Sequence, residues 1–195
     1  MKQRLQQQLQ FLLEIDKLKA VLRQSHLIGV KRRENSAEHS WHVALMAMIL
    51  AEYANEPVDV LKVVKMLLIH DLVEIDAGDT YMYLEQEDPN QLLREQQAAQ
   101  RLFTLLPDDQ AIEFRAVWDE FEARKTIEAR YAKSLDRLMP LLHNYHTQGT
   151  SWQEHGVKSE LVLQRNAYMA EGASDLWDYA QQLIQKAVSQ GYLDK

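Results

Sequence analysis

Residues 66–79, MLLIHDLVEIDAGD, set ionisable side chains into an apolar run: His70 and Asp71 follow Met66-Leu67-Leu68-Ile69, and Glu74 comes four residues after His70. On a helix, residues four apart share a face, so His70 and Glu74 project together. Asp71 sits about 100° round from His70, close enough for the two side chains to bracket one point. An ionised carboxylate among leucines is costly unless it is paired or bound to a metal. A lone His-Asp pair also fits a satisfied core histidine beside a helix-end aspartate, so the company it keeps decides. That company is His39 upstream and Asp136 downstream, each with an inward-facing position on its own helical stretch. Two imidazoles and two carboxylates make a hard-to-borderline donor set suited to Mn, Co, Fe, Zn or Mg. Such an ion acidifies the water it holds, which yields a nucleophile near neutral pH.

Three helices must position these groups. Asn35-Ser36-Ala37-Glu38 is a good helix start, with Asn35 as cap and Glu38 closing a capping box. That helix runs through Tyr53 and puts His39, Val43, Met46 and Leu50 on one face. His42 is the alternative ligand; His39 is preferred because it lies nearer the helix start, where a cleft can open. Asn55-Glu56-Pro57 divides this helix from the next, whose stripe of Val60, Val63, Val64, Leu67 and His70 faces inward. Gly78 supplies the backbone freedom of a C-terminal cap and leaves Asp79 and Thr80 at the mouth of the His70 face. The third helix, Thr126–His146, aligns Ala129, Ala132, Asp136, Met139 and His143. Pro140 should free the carbonyl of Asp136 and kink the helix there. Asp136 paired with Lys133 or Arg137 is the plain alternative, and His143 and His146 read as surface or stacking residues.

Elsewhere, residues 4–22 carry leucines at helical spacing and read as an amphipathic helix. Lys31-Arg32-Arg33 reads as a solvated loop that can add positive charge. Tyr81–Glu87 reads as a mobile cover, and Asp88-Pro89 as the start of a helix reaching Leu106, followed by another from Pro107 to Glu122. Gly149–Gly156 reads as a loop whose Glu154 and His155 can reach a site edge, before two closing helices over Val157–Asn166 and Asp175–Ser189.

Composition narrows the classes. With 195 residues, 46% hydrophobic and 26% charged, the chain is read as one soluble domain over 1–195. Only six glycines and four prolines favour helix, giving an all-α fold. The absence of cysteine excludes disulfides, thiolate metal sites and cysteine nucleophiles, so any metal is held by nitrogen and oxygen. A net charge of −7 disfavours a nucleic acid polymer, while one local basic cluster suffices for a small phosphorylated substrate. The N-terminal stretch shows no secretory signal, and the longest apolar run, Val43–Ala51, is too short to span a bilayer. A cytoplasmic protein without a membrane partner is expected.

The order His39, His70-Asp71, Asp136 resembles the H…HD…D signature of the HD-domain metal-dependent phosphohydrolases. The likeness extends to Glu34-Asn35-Ser36-Ala37-Glu38-His39-Ser40, His70-Asp71-Leu72-Val73-Glu74, Gly78-Asp79 and Lys133-Ser134-Leu135-Asp136, which look like the bacterial deoxynucleoside monophosphate nucleotidases over roughly residues 10–146. The resemblance implies a compact multi-helix fold with a divalent metal ion between helices, held by His39, His70, Asp71 and Asp136. It implies Glu74 as the residue that orients or deprotonates the attacking water, Arg23 as the phosphate ligand and Asp79 as acceptor for a sugar hydroxyl. It also implies a homodimer. Three features depart from the subgroup. Gln24-Ser25 stand where a tryptophan usually follows the arginine, the Arg23-to-His39 spacing is one residue longer, and Thr80-Tyr81 replace a proline-bearing continuation.

The expected activity is hydrolysis of a nucleoside monophosphate to nucleoside and phosphate. The alternatives are an HD phosphohydrolase of another small phosphate ester or nucleotide, and a non-catalytic module that senses metal and nucleotide. Glu74 argues against the module, since a purely structural metal site has no use for a water-orienting carboxylate.

Overall fold

The computed structural model describes residues 2–83 and 89–195. The expected all-α fold is observed, with one small addition. The helices are α1 (Lys2–Ile15), α2 (Ser36–Ile49), α3 (Val60–Ile69), α4 (Glu74–Ala77), α5 (Gln91–Phe103), α6 (Asp108–Ala123), α7 (Ile127–His146), α8 (Thr150–Glu154), α9 (Ser159–Asn166) and α10 (Ser174–Ser189). The addition is an antiparallel pair, β1 (Leu22–His26) with β2 (Arg33–Asn35), in register Leu22 to Asn35 and His26 to Arg33.

That pair overturns the single helix expected over residues 4–22. α1 stops at Ile15, a 3-10 turn covers Asp16–Ala20, and the chain then extends. The backbone gains a partner across the hairpin, and Ser36 N–H donates to the Val21 carbonyl at 3.0 Å. Phe11 and Leu18 are the buried anchors of this segment, whereas Leu5, Leu9, Leu12 and Leu13 are exposed.

Two apolar clusters hold the helices. The larger joins α2, α3, α7 and α10 through residues such as Val43, Met66, Leu67, Leu135, Trp152 and Ile184. The smaller packs Phe11, Leu18, Ile69, Leu72, Phe103 and Trp118 beneath α5 and α6. His70 and Asp71 emerge where the two meet, on the 3-10 turn His70–Val73.

The helix starts follow their chemistry. Asn35 forms the full capping box with Glu38, accepting from the Glu38 N–H at 2.9 Å. Thr126 caps α7, accepting from the Ala129 N–H. Before α3 the cap is Asp59, which accepts from Lys62 N–H at 3.1 Å, so Pro57 precedes the helix rather than opening it. Gly149–Gly156, expected as a loop, contains α8, with Gly149 at φ 79° preceding it and Trp152 buried beneath. Asp88 lies outside the described residues; α5 begins at Gln91.

Replacing Asn35 by Ala removes one arm of the capping box on the helix that carries His39. An N-cap loss costs about 1 kcal/mol. The urea midpoint of Asn35→Ala is therefore expected to fall with an unchanged m-value. An unmoved midpoint would mean that the box contributes nothing to this helix.

Candidate active site

His70 is where local geometry departs from a regular helix. Its Nδ1–H donates to the Leu67 carbonyl at 2.8 Å, the acceptor that the Asp71 N–H would take in an α-helix. α3 ends at Ile69, and residues His70–Val73 tighten into a 3-10 turn before α4 resumes at Glu74. The expected continuous helix to Gly78 is thus broken at its functional residues. Gly78, at φ 77°, caps α4 as expected, with its N–H on the Glu74 carbonyl at 2.9 Å. The left-handed backbone there suits glycine alone without strain.

With Nδ1 committed to the backbone, His70 Nε2 points into the interior. It lies 3.0 Å from Asp71 Oδ1 and 3.6 Å from Asp136 Oδ1, and it is buried with no hydrogen-bond partner. Trp118 Nε1 donates to the His70 carbonyl, and the imidazole packs 4.8 Å from the Phe121 ring. His39 is fully buried from the first turn of α2, with Nε2 3.0 Å from Asp136 Oδ1 and Nδ1 3.3 Å from Glu34 Oε2. His42, the alternative, is not part of this group.

Asp136 sits mid-way along α7, which runs on through Pro140 to His146. Burial would raise its pKa, but Arg137 together with His39 and His70 holds it well below the usual carboxylate range. Burial works against a charged His39, and Arg23 does the same; Asp136 and Glu34 outweigh both and carry its pKa up to about 9.

Donor atoms of His39, His70 and Asp136 all lie within 4.8 Å of one another, and Asp71 adjoins them through His70. This set fits a divalent metal ion: two imidazoles, two carboxylates, and a buried His70 Nε2 with no other partner. The His70 Nδ1 bond to a backbone carbonyl is the tautomer-fixing contact that metal-binding histidines use.

Arg23 comes from β1, not from a helix, and its guanidinium is the hub of the acidic side. It donates to Asp71 Oδ2 at 2.7 Å and lies 3.7 Å from Glu74 Oε1 and 3.8 Å from Asp79 Oδ1. Burial alone would lower its pKa; Asp71, Glu74 and Asp79 outweigh that and keep it charged. Glu74 Oε2 accepts from the Ser36 hydroxyl at 2.5 Å. Burial, reinforced by Asp71, pushes Glu74 well above the ordinary carboxylate range. Asp79 is raised as well, chiefly by burial.

One cleft is lined by His70, Asp71, Glu74, Asp79, Asp136, Arg23 and the cations Lys133 and Arg137. A second opens beside Arg23 and Asp79, lined by Gln24, Ser25, Tyr81, Met82, Tyr83 and Asn144. All seven residues singled out in the sequence thus converge. The basic loop does not join them: Arg32 pairs with Glu38, and Arg33 faces Glu154. Nor do Glu154 and His155 line either cleft; His155 stacks on Tyr81 at 4.3 Å. Of the expected cover, Tyr81–Tyr83 pack inward, with Tyr83 buried and accepting from Asn166, and the remainder lies outside the described residues.

Sequence reasoning missed Glu34, Ser36 and Arg137. Glu34 and Ser36 flank Asn35, inside the quoted motif, but their contacts depend on the hairpin, which polar five- and three-residue strands do not announce. Arg137 was weighed only as an ion-pair partner of Asp136. Its Nε does lie 3.7 Å from Asp136 Oδ2, yet it also lines both clefts.

Residues 15–177 match the model of the HD domain. The chain belongs to the HD-domain family. It is 52% identical to a predicted metal-dependent phosphohydrolase from Magnetospirillum magnetotacticum MS-1, whose crystal structure matches with a TM-score of 0.94 over 98% of this chain and 96% of that one. It is 30% identical over 188 residues to the bovine 5'-deoxynucleotidase HDDC2, covering 86% of this chain and 90% of the relative. The human 5'-deoxynucleotidase HDDC2 is 30% identical over 135 residues, and there the match spans 65% of the relative's length. In this HD-domain chain the donor group of His39, His70 and Asp136, which could hold a metal ion, lies at the junction of α2, α7 and the 3-10 turn after α3.

Proposed function

We propose that this chain is a metal-dependent phosphohydrolase that releases phosphate from a nucleoside 5'-monophosphate. The observation that carries the reading is Arg23. One buried guanidinium touches Asp71 beside the metal donor set, Glu74 and Asp79, so the proposed phosphate, water and sugar contacts adjoin one another. The 5'-deoxynucleotidase relatives support the same substrate class.

His39, His70, Asp71 and Asp136 would hold the metal. A divalent ion in that position supplies Lewis acidity toward a phosphoryl oxygen and acidifies water. Arg23 presents a planar fork that matches two phosphate oxygens, and Lys133 and Arg137 add positive charge at the cleft. Glu74 takes the proton of the attacking water, and its raised pKa brings it nearer the working pH, where a general base is most effective. Asp79 accepts from a sugar hydroxyl common to ribose and deoxyribose.

Sugar selectivity rests on the second cleft, where Gln24 and Ser25 line the wall beside Asp79. Polar, smaller side chains accommodate an extra hydroxyl, and pockets reject an added hydroxyl weakly unless built to clash with it. Ribonucleotides are therefore expected to be turned over within about a hundredfold of their deoxy counterparts. The test is phosphate release across a panel of nucleotides, other phosphate esters and divalent metals, with AMP and dAMP compared side by side. Metal and nucleotide binding without phosphate release would favour a sensor, and release from other esters alone would move the substrate class. A far larger preference for dAMP would assign the wall to Tyr81 or Tyr83, since Trp41 is exposed and Trp152 is buried away from both clefts.

The proposal takes residues 1–195 as one HD-type unit acting in the cytoplasm on a small substrate, with neither a nucleic acid polymer nor a membrane as partner. The net charge of −7 supports the former, and no described helix is long and apolar enough to cross a membrane. It also takes the chain as a homodimer. The exposed Leu12 and Trp41, with Leu68, line a groove between α1, α2 and α3 that suits a second copy, which light scattering of the purified protein checks.

A further inference from the structure

The Nδ1 side of His39 faces a second group of donors that the proposed reaction does not use. Glu34 on β2, His42 on α2 and His143 on α7 bring one ligand atom each to within 4.8 Å of one another. Glu34 is 1% exposed and His143 2% exposed, and Glu34 Oε2 lies 3.7 Å from His143 Nδ1. Both of those atoms are buried without a hydrogen-bond partner. The His42 and His143 rings meet edge-on at 6.4 Å, and His42 is only half-buried, which leaves a way in from solvent.

We infer that Glu34, His42 and His143 form a second divalent-cation site, distinct from the centre at His39, His70, Asp71 and Asp136. Two imidazoles and one carboxylate are the three-ligand set that a tetrahedral ion completes with one further position. Nitrogen-rich donors select Zn, Co or Ni over Mg or Ca. Donors around such an ion stand roughly 3.4 Å apart, so the 3.7 Å pair is already near its bound separation.

The competing account is a hub of polar contacts without a cation. Glu34 Oε2 also lies 3.3 Å from His39 Nδ1 and 3.8 Å from Arg23 Nε, so those two groups already offset its charge. On that account Glu34 only orients His39, and His42 and His143 contribute nothing to metal uptake. Stoichiometry separates the two accounts without any measurement of turnover.

The experiment titrates metal-free full-length protein with Co2+, followed by visible absorption and by elemental analysis after gel filtration. Two equivalents are expected for the unmodified chain, and one for His42→Asn and for His143→Gln. His42 is half-buried, so His42→Asn serves if the buried His143 variant does not fold. A single equivalent in the unmodified chain, or two equivalents that survive in His42→Asn, overturns the second site.

Discussion

Asp71→Ala is expected to empty the catalytic centre and abolish phosphate release while leaving the protein folded. Asp71 offers one oxygen to each of two neighbours: Oδ1 lies 3.0 Å from His70 Nε2, and Oδ2 accepts from Arg23 at 2.7 Å. Losing an outer partner of a metal centre costs about 10–100-fold in affinity or activity. Losing a ligand costs more, so a fall beyond about a hundredfold marks Asp71 as a ligand. The fold should survive, because Arg23 retains Glu74 and Asp79 within 3.8 Å and Asp71 lies at the cleft, outside both apolar clusters. Elemental analysis is best done with His42→Asn also present, so that only this centre is counted. Full occupancy there would remove Asp71 from the ligand set.

The reach of the sequence follows from what kind of interaction sets each feature. Caps and helix faces are local, so Asn35 with Glu38, Gly78 and the inward faces of His39 and Asp136 were legible from spacing. The hairpin was not. Leu22–His26 is polar and carries no alternating apolar signal, and it extends only because β2 and Ser36 provide backbone partners. Arg23 was assigned as phosphate ligand by resemblance alone, one residue past the helix expected over 4–22, and it stands on β1. The turn at His70 is a third kind of case. A side chain takes a backbone acceptor, and no periodicity reports which carbonyl a histidine will find. Glu34 escaped for the same reason: its partners His39 and His143 come from α2 and α7, and only tertiary packing joins them.

Glu74→Gln is expected to separate chemistry from binding. The side chain stands apart from the donor group of His39, His70 and Asp136, held by the Ser36 hydroxyl on one oxygen and facing Arg23 from the other. Glutamine has the same shape and its carbonyl oxygen can still accept from Ser36, so the cleft should keep its form. It cannot take a proton. Burial and the neighbouring Asp71 raise the pKa of Glu74, and that is the change that fits a carboxylate to receive a proton near neutral pH. General acid–base groups contribute about 10²–10⁴-fold, so kcat should fall within that range while metal stoichiometry and KM hold. Ser36→Ala gives the internal control, since it removes only the contact that orients the carboxylate and should cost less than Glu74→Gln. Loss of the metal in Glu74→Gln would make the residue a ligand, and near-normal kcat would leave the proton to another base in the cleft, of which Asp79, also raised by burial, is the nearest in kind.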